Sequence, residues 1–318
     1  MHDESCDHLL KDTIVQATTL PAVLAPVISP FNQQGRIDVK KLLKQCQWLR
    51  ANDAGIAIFG TNSESNSISS IEKMDVLEKL IADGLDPKVT MPGTGACSVA
   101  ETVLMTATAV KVGCAGVLML PPFYYKDVSD DGLFAYFSEV IEQVGDSRLQ
   151  IYLYNIPPIT KIPMSLDLLE RLITAYPNTI AGMKDTSGDW AYTEAVLKQF
   201  GPRGFRMFAG NEIFLLRTMR AGGYGCISSM VNIDPKRNAY LAAHWQDADA
   251  DQLQAELDQV RAALVKFPTV PTMKAVIAHF SKDPEWARVR PPLVSLTPDQ
   301  QRQMALELEK IHFSIDGL

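Results

Sequence analysis

Lys184 closes an otherwise apolar run, TIAGMK at 179–184. Burial disfavours the charged form of an amine, and an uncharged amine attacks carbonyl carbons to form imines. The plainer reading leaves the same lysine just past a strand, facing solvent or paired with a carboxylate. Two phenols occupy comparable places, Tyr154 at the end of QIYLY and Tyr125 in PPFYY. A phenolic hydroxyl donates and accepts hydrogen bonds and can therefore relay a proton, although aromatics at such places also serve simply as packing. The run Gly60-Thr61-Asn62-Ser63-Glu64-Ser65 gathers hydroxyls, an amide and backbone N–H groups just ahead of a helical stretch. Such a cluster can hold a carboxylate, and the same residue types also make ordinary turns and helix caps.

These groups act together only if one scaffold brings them together. Short apolar runs at 22–28, 55–59, 88–92, 116–120, 150–154, 179–184, 205–209 and 225–229 read as strands. Each precedes a stretch with helical spacing, near 38–51, 71–83, 98–112, 131–144, 165–175, 190–200, 212–221 and 235–247. Apolar runs separated by helices imply parallel strands buried on both faces. Eight such units match an α/β fold of the (β/α)8 TIM-barrel type, which takes roughly 250 residues. A doubly wound open sheet has about five or six strands and a glycine fingerprint after the first. Here the first run leads into SPFNQQGRID instead.

Residues 1–20 then read as an N-terminal segment, 21–247 as the barrel and catalytic domain, and 248–318 as a C-terminal helical region. Helices are expected at 251–266, 271–281 and 298–313, the last opening on Thr297-Pro298-Asp299, an N-cap with proline in the first turn. Functional groups of a βα barrel lie at the C-terminal ends of the strands and in the loops that follow. That rule gathers Thr61, Asn62, Tyr125, Tyr154, Lys184, Thr186, Gly210, Asn211, Glu212 and Ser229 at one mouth.

Composition excludes several other classes. The formal net charge is −7, with basic residues scattered, so no nucleic-acid footprint is expected. No apolar stretch reaches the roughly 18 residues of a membrane span. The start, MHDESCDHLLKDT, is acidic and lacks the basic opening and apolar core of a signal peptide, which points to the cytoplasm. Five cysteines without a C-x-x-C pair read as small buried apolar residues. Five histidines show no metal-ligand spacing, so neither a metal nor a cofactor is expected.

Three stretches in order add a resemblance. GTNSE at 60–64, YNIP at 154–157 and GMKDTSGD at 182–189 are similar to motifs of the dihydrodipicolinate synthase / N-acetylneuraminate lyase family of class I aldolases. The opening APVISPFNQQGRID and the late VRPPLVSLTPDQ also resemble that family, so the likeness runs from about residue 21 to 300. The resemblance implies that Lys184 forms an imine with the keto group of a 2-oxo acid, and that Tyr154 relays protons. Thr61 and Asn62 would hold the substrate carboxylate, with Thr61 linking Tyr154 to Tyr125. Tyr125 would reach into a neighbouring subunit's site, which implies a homodimer or homotetramer. Gly210, Asn211, Glu212 and Ser229 lie where relatives contact the substrate tail, and Thr186 joins them.

The implied reaction is aldol cleavage or condensation, with pyruvate as the keto component and an aldehyde as the other. Alternatives are a sugar-acid dehydratase, a dihydrodipicolinate synthase, or a non-catalytic barrel that binds an oxo acid. Two departures bear on these. Asn62 and Ser63 replace the threonine and glycine usual in the loop. Ile159 stands where true synthases carry an arginine for the second substrate's carboxylate, a bidentate contact that isoleucine cannot make and nearby Lys161 matches poorly.

Overall fold

Seven short strands form one parallel sheet in the computed structural model, which describes residues 20–318. They are β1 Val23–Ala25, β2 Gly55–Ile56, β3 Val117–Met119, β4 Ile151–Asn155, β5 Ile180–Asp185, β6 Arg206–Ala209 and β7 Gly225–Ile227. Their order is β2-β1-β7-β6-β5-β4-β3, which leaves β2 and β3 as the two margins. Residues 90–94 join those margins. Met91 N donates to Ile56 O (2.7 Å) and Gly93 N to Ile58 O (2.7 Å) on one side. Leu118 N donates to Pro92 O (2.9 Å) and Thr94 N to Leu118 O (3.1 Å) on the other. The sheet therefore curls back on itself, as in α/β folds of the TIM-barrel kind.

The strand expected at 88–92 is shifted and reduced to bridges. Asp86 caps a 3-10 turn at Pro87–Val89, accepting from Lys88 N, and only then does the chain extend. Pro92 has no N–H to give to a ladder, so pairing there stays discontinuous. The N-terminal segment expected at 1–20, with His2, Cys6 and His8, lies outside the described residues as far as residue 19.

Helices alternate with the strands: α1 Val39–Ala51, α2 Ser70–Ala82, α3 Val99–Lys111, α4 Asp130–Val144, α5 Pro157–Thr160, α6 Leu166–Ala175, α7 Trp190–Phe200, α8 Leu215–Arg220 and α9 Pro235–Ala243. Six of them start where a short polar side chain accepts from the first turn: Asp38, Ser69, Ser98, Ser129, Ser165 and Asp189. Such caps contribute about 1 kcal/mol each and fix where a loop ends. The short α5 has no counterpart in the sequence reading, and the helix expected at 212–221 splits into a 3-10 turn, Glu212–Phe214, followed by α8.

Alternate strand residues face opposite sides, as the two-residue strand period requires. Leu24, Leu118, Tyr152, Tyr154 and Phe208 fill the inside of the curled sheet. Val23, Val117, Met119, Ile151, Leu153, Met183 and Met207 face the surrounding helices. After β7 come α10 Ala250–Leu264, α11 Thr269–Ser281 and α12 Pro298–Lys310, the last opened by a reciprocal Thr297–Gln300 cap. They share a second core, in which Met273, Val276, Leu264 and Trp286 pack with Ile28 just after β1 and with Met230 and Ile233 just after β7. This places the C-terminal helices against the end of the sheet where the strands finish.

Among the described residues no helix is long and apolar enough to cross a membrane, and no group of three His, Cys, Asp or Glu is gathered as a metal would need. Cys46 and Cys226 are buried as expected, whereas Cys97 is exposed.

The strands crowd most closely where glycine stands on one of them. A Cβ at Gly225 would lie 1.7 Å from the carbonyl oxygen of Ala22. Gly225→Ala must therefore push β1 and β7 apart, and it is expected to lower stability by about 1–3 kcal/mol. Urea unfolding measures this; an unchanged midpoint would contradict the close approach.

Candidate active site

Because every pairing is parallel, all strands end at one face, and the loops carrying the expected groups open there. Lys184 is the fifth residue of β5 and is only 3% exposed. It lies beside Tyr154 of β4 and Phe208 of β6 in the ladder, two residues whose side chains point inside. Its Nζ stands 4.3 Å from the centre of the Tyr154 ring. The solvent-facing alternative for Lys184 does not hold: strand parity sends it inward.

The neighbours of these two residues hold them in register. Asp185, next to Lys184, accepts from Asn155, next to Tyr154 (Nδ2 to Oδ1, 2.8 Å). The same carboxylate accepts from Ser187 N (3.1 Å), Ser187 Oγ (2.8 Å) and Thr193 Oγ1 (2.6 Å). Asn155 in turn accepts Met164 N at its side-chain oxygen (3.2 Å) and Thr186 N at its carbonyl (2.8 Å). Asp185 also accepts Gly210 N at its carbonyl (2.7 Å), tying β5 to the end of β6. A buried carboxylate supplied with four donors is well compensated for its desolvation. Asn155 and Asp185 stand in YNIP and GMKDTSGD immediately after Tyr154 and Lys184, and that adjacency is the one signal of their role in the sequence.

Thr186 and Gly210 meet at the same strand ends. A Cβ on Gly210 would fall 1.9 Å from Thr186 Oγ1, so only glycine fits. The Thr186 hydroxyl is buried and has no hydrogen-bond partner among the described residues. Asn211 spends its side-chain oxygen on Ile213 N (3.2 Å), as a cap. Glu212, expected among the tail contacts, is fully buried with both carboxylate oxygens engaged inside the protein. Arg261 of α10 donates Nε to Oε1 (2.5 Å) and Nη2 to Oε2 (2.8 Å), and the Ser228 hydroxyl also donates to Oε2. Ser229, beside Ser228, is buried, and its carbonyl accepts from Asn232 Nδ2 (3.1 Å). Arg261 carried no local sequence signal, since it lies on a helix 49 residues away.

The loop after β2 forms a 3-10 turn, Thr61–Ser63, with Thr61 and Asn62 half-exposed. Ser63, in the place of the usual glycine, is buried; its hydroxyl donates to Val27 O, and its carbonyl accepts from Ser29 Oγ (2.8 Å). Glu64 follows in the left-handed region at φ 59°, which costs a non-glycine residue energy unless its surroundings impose it. They do so through Lys274 of α11, whose Nζ meets Glu64 Oε1 at 2.5 Å, both side chains being fully buried. Arg290 N donates to Glu64 Oε2 (2.6 Å). Burial pushes the Lys274 ammonium down to about 8, although Glu64 pulls the other way.

Tyr125 is not part of the buried group. It is 73% exposed, edge-on to the equally exposed Tyr124 at 5.3 Å. Ile159, on the short α5, is 61% exposed. One monomer therefore brings together Lys184, Tyr154, Thr186 and Gly210, with the Thr61–Asn62 turn on the same face, and leaves Tyr125 outside.

Comparison with known proteins agrees with the architecture. The model of the family described as "Dihydrodipicolinate synthetase family" matches residues 19–311. A relative described as an uncharacterized DapA-like lyase, from Chloroflexus aurantiacus, is 28% identical over 293 residues, covering 91% of this chain and 96% of its own. The crystal structure of dihydrodipicolinate synthase from Agrobacterium tumefaciens superposes with a TM-score of 0.85 at 31% identity, over 92% of this chain and all of the other. A prophage protein of the dihydrodipicolinic acid synthase family from E. coli, solved in complex with pyruvate, shares the fold with a TM-score of 0.83 at 24% identity, covering 92% of this chain and 98% of its own.

The Asp185 hub yields a direct test. Asp185→Ala strands the buried Asn155 amide and leaves the Thr193 hydroxyl only its longer bond to Asp189 O (3.2 Å); it is expected to cost about 3 kcal/mol of stability, whereas Ser187→Ala costs about 1 kcal/mol or less. Chemical denaturation of both variants measures the contrast; equal losses would show that the carboxylate does not hold the strand ends.

Proposed function

The chain belongs to the dihydrodipicolinate synthetase family and is a lyase of that family; on that premise we propose that it works on a 2-oxo acid through an imine at Lys184. The reaction would be aldol cleavage or condensation, with pyruvate as the keto component and an aldehyde as its partner. The observation that carries this reading is the buried Lys184 nitrogen, 4.3 Å from the Tyr154 ring at the strand ends.

The uncharged Lys184 amine adds to the keto carbon, and the carbinolamine loses water to give a protonated imine. Tyr154 supplies and recovers the protons of that step. Tyr154, or the relay it belongs to, then takes the proton of the hydroxyl on the fourth carbon. The bond between the third and fourth carbons breaks, and its electron pair moves toward the imine nitrogen. An aldehyde leaves, and an enamine of pyruvate remains on Lys184. Protonation at the third carbon and hydrolysis release pyruvate and restore the amine. In condensation the same steps run in reverse.

Thr61 and Asn62 are assigned to the substrate carboxylate, since their turn presents half-exposed donors at this face. The buried hydroxyl of Thr186, without a partner among the described residues, supports a hydroxylated substrate, because a buried hydroxyl gains most from a polar partner. Asn211 and Ser229 complete the wall along the tail, and Gly210, having no Cβ, accommodates the Thr186 side chain packed against it. Glu212 shapes that wall from behind, its charge already matched by Arg261. Ile159 argues against the synthase reaction for the reason of geometry given above, and a dehydratase would differ only in the group that leaves after imine formation.

Tyr125, exposed beside Tyr124, is assigned to a partner subunit's site in a homodimer or homotetramer. The curled sheet is read as a (β/α)8 barrel over 21–247, with 90–94 as its third strand and a C-terminal helical extension from 248. A cytoplasmic setting is proposed with it.

Incubation with pyruvate and borohydride should add the mass of a reduced imine at Lys184, and Lys184→Ala should take no label. An unlabelled Lys184 under conditions that label a known aldolase overturns the proposal. Tyr154→Phe is expected to lower kcat by about 10²–10⁴ with a smaller change in KM, as loss of a proton relay does. Product analysis across 2-oxo-3-deoxy sugar acids, and with pyruvate plus aspartate semialdehyde, separates aldolase, dehydratase and synthase; no turnover of any of them would leave an oxo-acid-binding barrel.

A further inference from the structure

A buried ion pair outside the reacting group ties the C-terminal helices to the carboxylate turn. Glu64 and Lys274 are 210 residues apart, and both side chains are fully buried. Isolated pairs of this kind add little net stability, because desolvation of two charges offsets their attraction. This pair is placed for something else. It grips the residue two positions beyond Asn62 and holds it in a left-handed conformation.

Further contacts close the grip. Arg290 N takes the second Glu64 oxygen, while the Arg290 guanidinium donates to Ser67 O (2.9 Å) and to Glu72 (2.7 and 2.8 Å). Phe31 lies beneath both cations, with Lys274 Nζ 4.2 Å and the Arg290 guanidinium carbon 4.6 Å from its ring centre. A ring face stabilises desolvated cations without adding a competing hydrogen bond. The turn from 61 to 67 is thus pinned at 63, 64 and 67, and Thr61 and Asn62 stand half-exposed immediately before the pinned, buried Ser63 and Glu64.

We propose that Lys274 and Glu64 are positioning residues that set the Thr61–Asn62 donors for the carboxylate of the 2-oxo acid. The inference rests on the Schiff-base reading above. Neither side chain touches substrate; each acts through the backbone of the turn. A preorganised donor pair binds its anion without first paying an ordering cost, so loosening the grip weakens carboxylate binding more than imine chemistry.

The test is the concentration dependence of borohydride trapping with two probes, pyruvate and acetone, which lacks a carboxylate. In Lys274→Met the half-saturating pyruvate concentration should rise about tenfold, the scale of one hydrogen bond to a charged group, while trapping with acetone is unchanged. The double variant Glu64→Gln/Lys274→Met, which leaves no unpaired charge, serves if the single variant does not fold, with the same expectation. An unchanged half-saturation for pyruvate, or an equal loss with acetone, overturns the proposal, and so does failure of both variants to fold. Absence of labelling in the unaltered protein would instead strike the Schiff-base reading itself.

Discussion

The arrangement depends on one constraint: a lysine nitrogen must sit inside a curled sheet, against a phenol, without the freedom to swing out. A flexible four-carbon stem would not stay there by itself. It stays because β4 and β5 run parallel in a register that places Tyr154 beside Lys184. That register is reinforced one residue later, where Asn155 and Asp185 bond across the same two strands. Each buried polar side-chain atom of the hub has a hydrogen-bond partner, so the hub rigidifies the strand ends instead of burdening them. Slippage by one residue would turn Lys184 toward the helices, where Met183 now packs.

The rest of the mouth is supplied from far away in the chain. Two ion pairs, Glu212 with the half-buried Arg261 and the fully buried Glu64 with Lys274, each join a loop at the strand ends to a helix beyond the last strand. In both pairs the acid belongs to the loop and the base to the C-terminal helices. The second core, shared by α10, α11 and α12 with residues just after β1 and β7, presses those helices onto the same end. The C-terminal region therefore does more than add mass: its cations dictate the shape of two loops.

Closure of the sheet shows how a weak element can serve. Residues 90–94 make only bridges to β2 and β3, interrupted by Pro92, yet they complete the ring. Closely packed glycines, with Gly182 facing Arg206 O and Gly225 facing Ala22 O, let neighbouring strands approach without side chains between them. A ring of short strands can hold its form because each is bonded on both sides and buried on both faces.

Much of this was legible in the sequence. Apolar runs and helical spacing located seven strands and the long helices to within a few residues, because those periods follow directly from strand and helix geometry. One helix start was read from its cap, Thr297 ahead of Pro298, and the structure shows the reciprocal Thr297–Gln300 cap there. The family and the strand-end position of Lys184 and Tyr154 were also readable, since motif and strand end coincide in the chain. What tertiary structure alone decided concerns partners. The pairing of Glu64 with Lys274 and of Glu212 with Arg261, and the meeting of Thr186 with Gly210, join residues with no local relation. The direction of Lys184 was likewise open until strand register set its parity. Sequence periodicity tells a side chain which face to take relative to its neighbours, but only the closed sheet defines which face is the inside, and only packing selects the distant charge that makes burial of another tolerable.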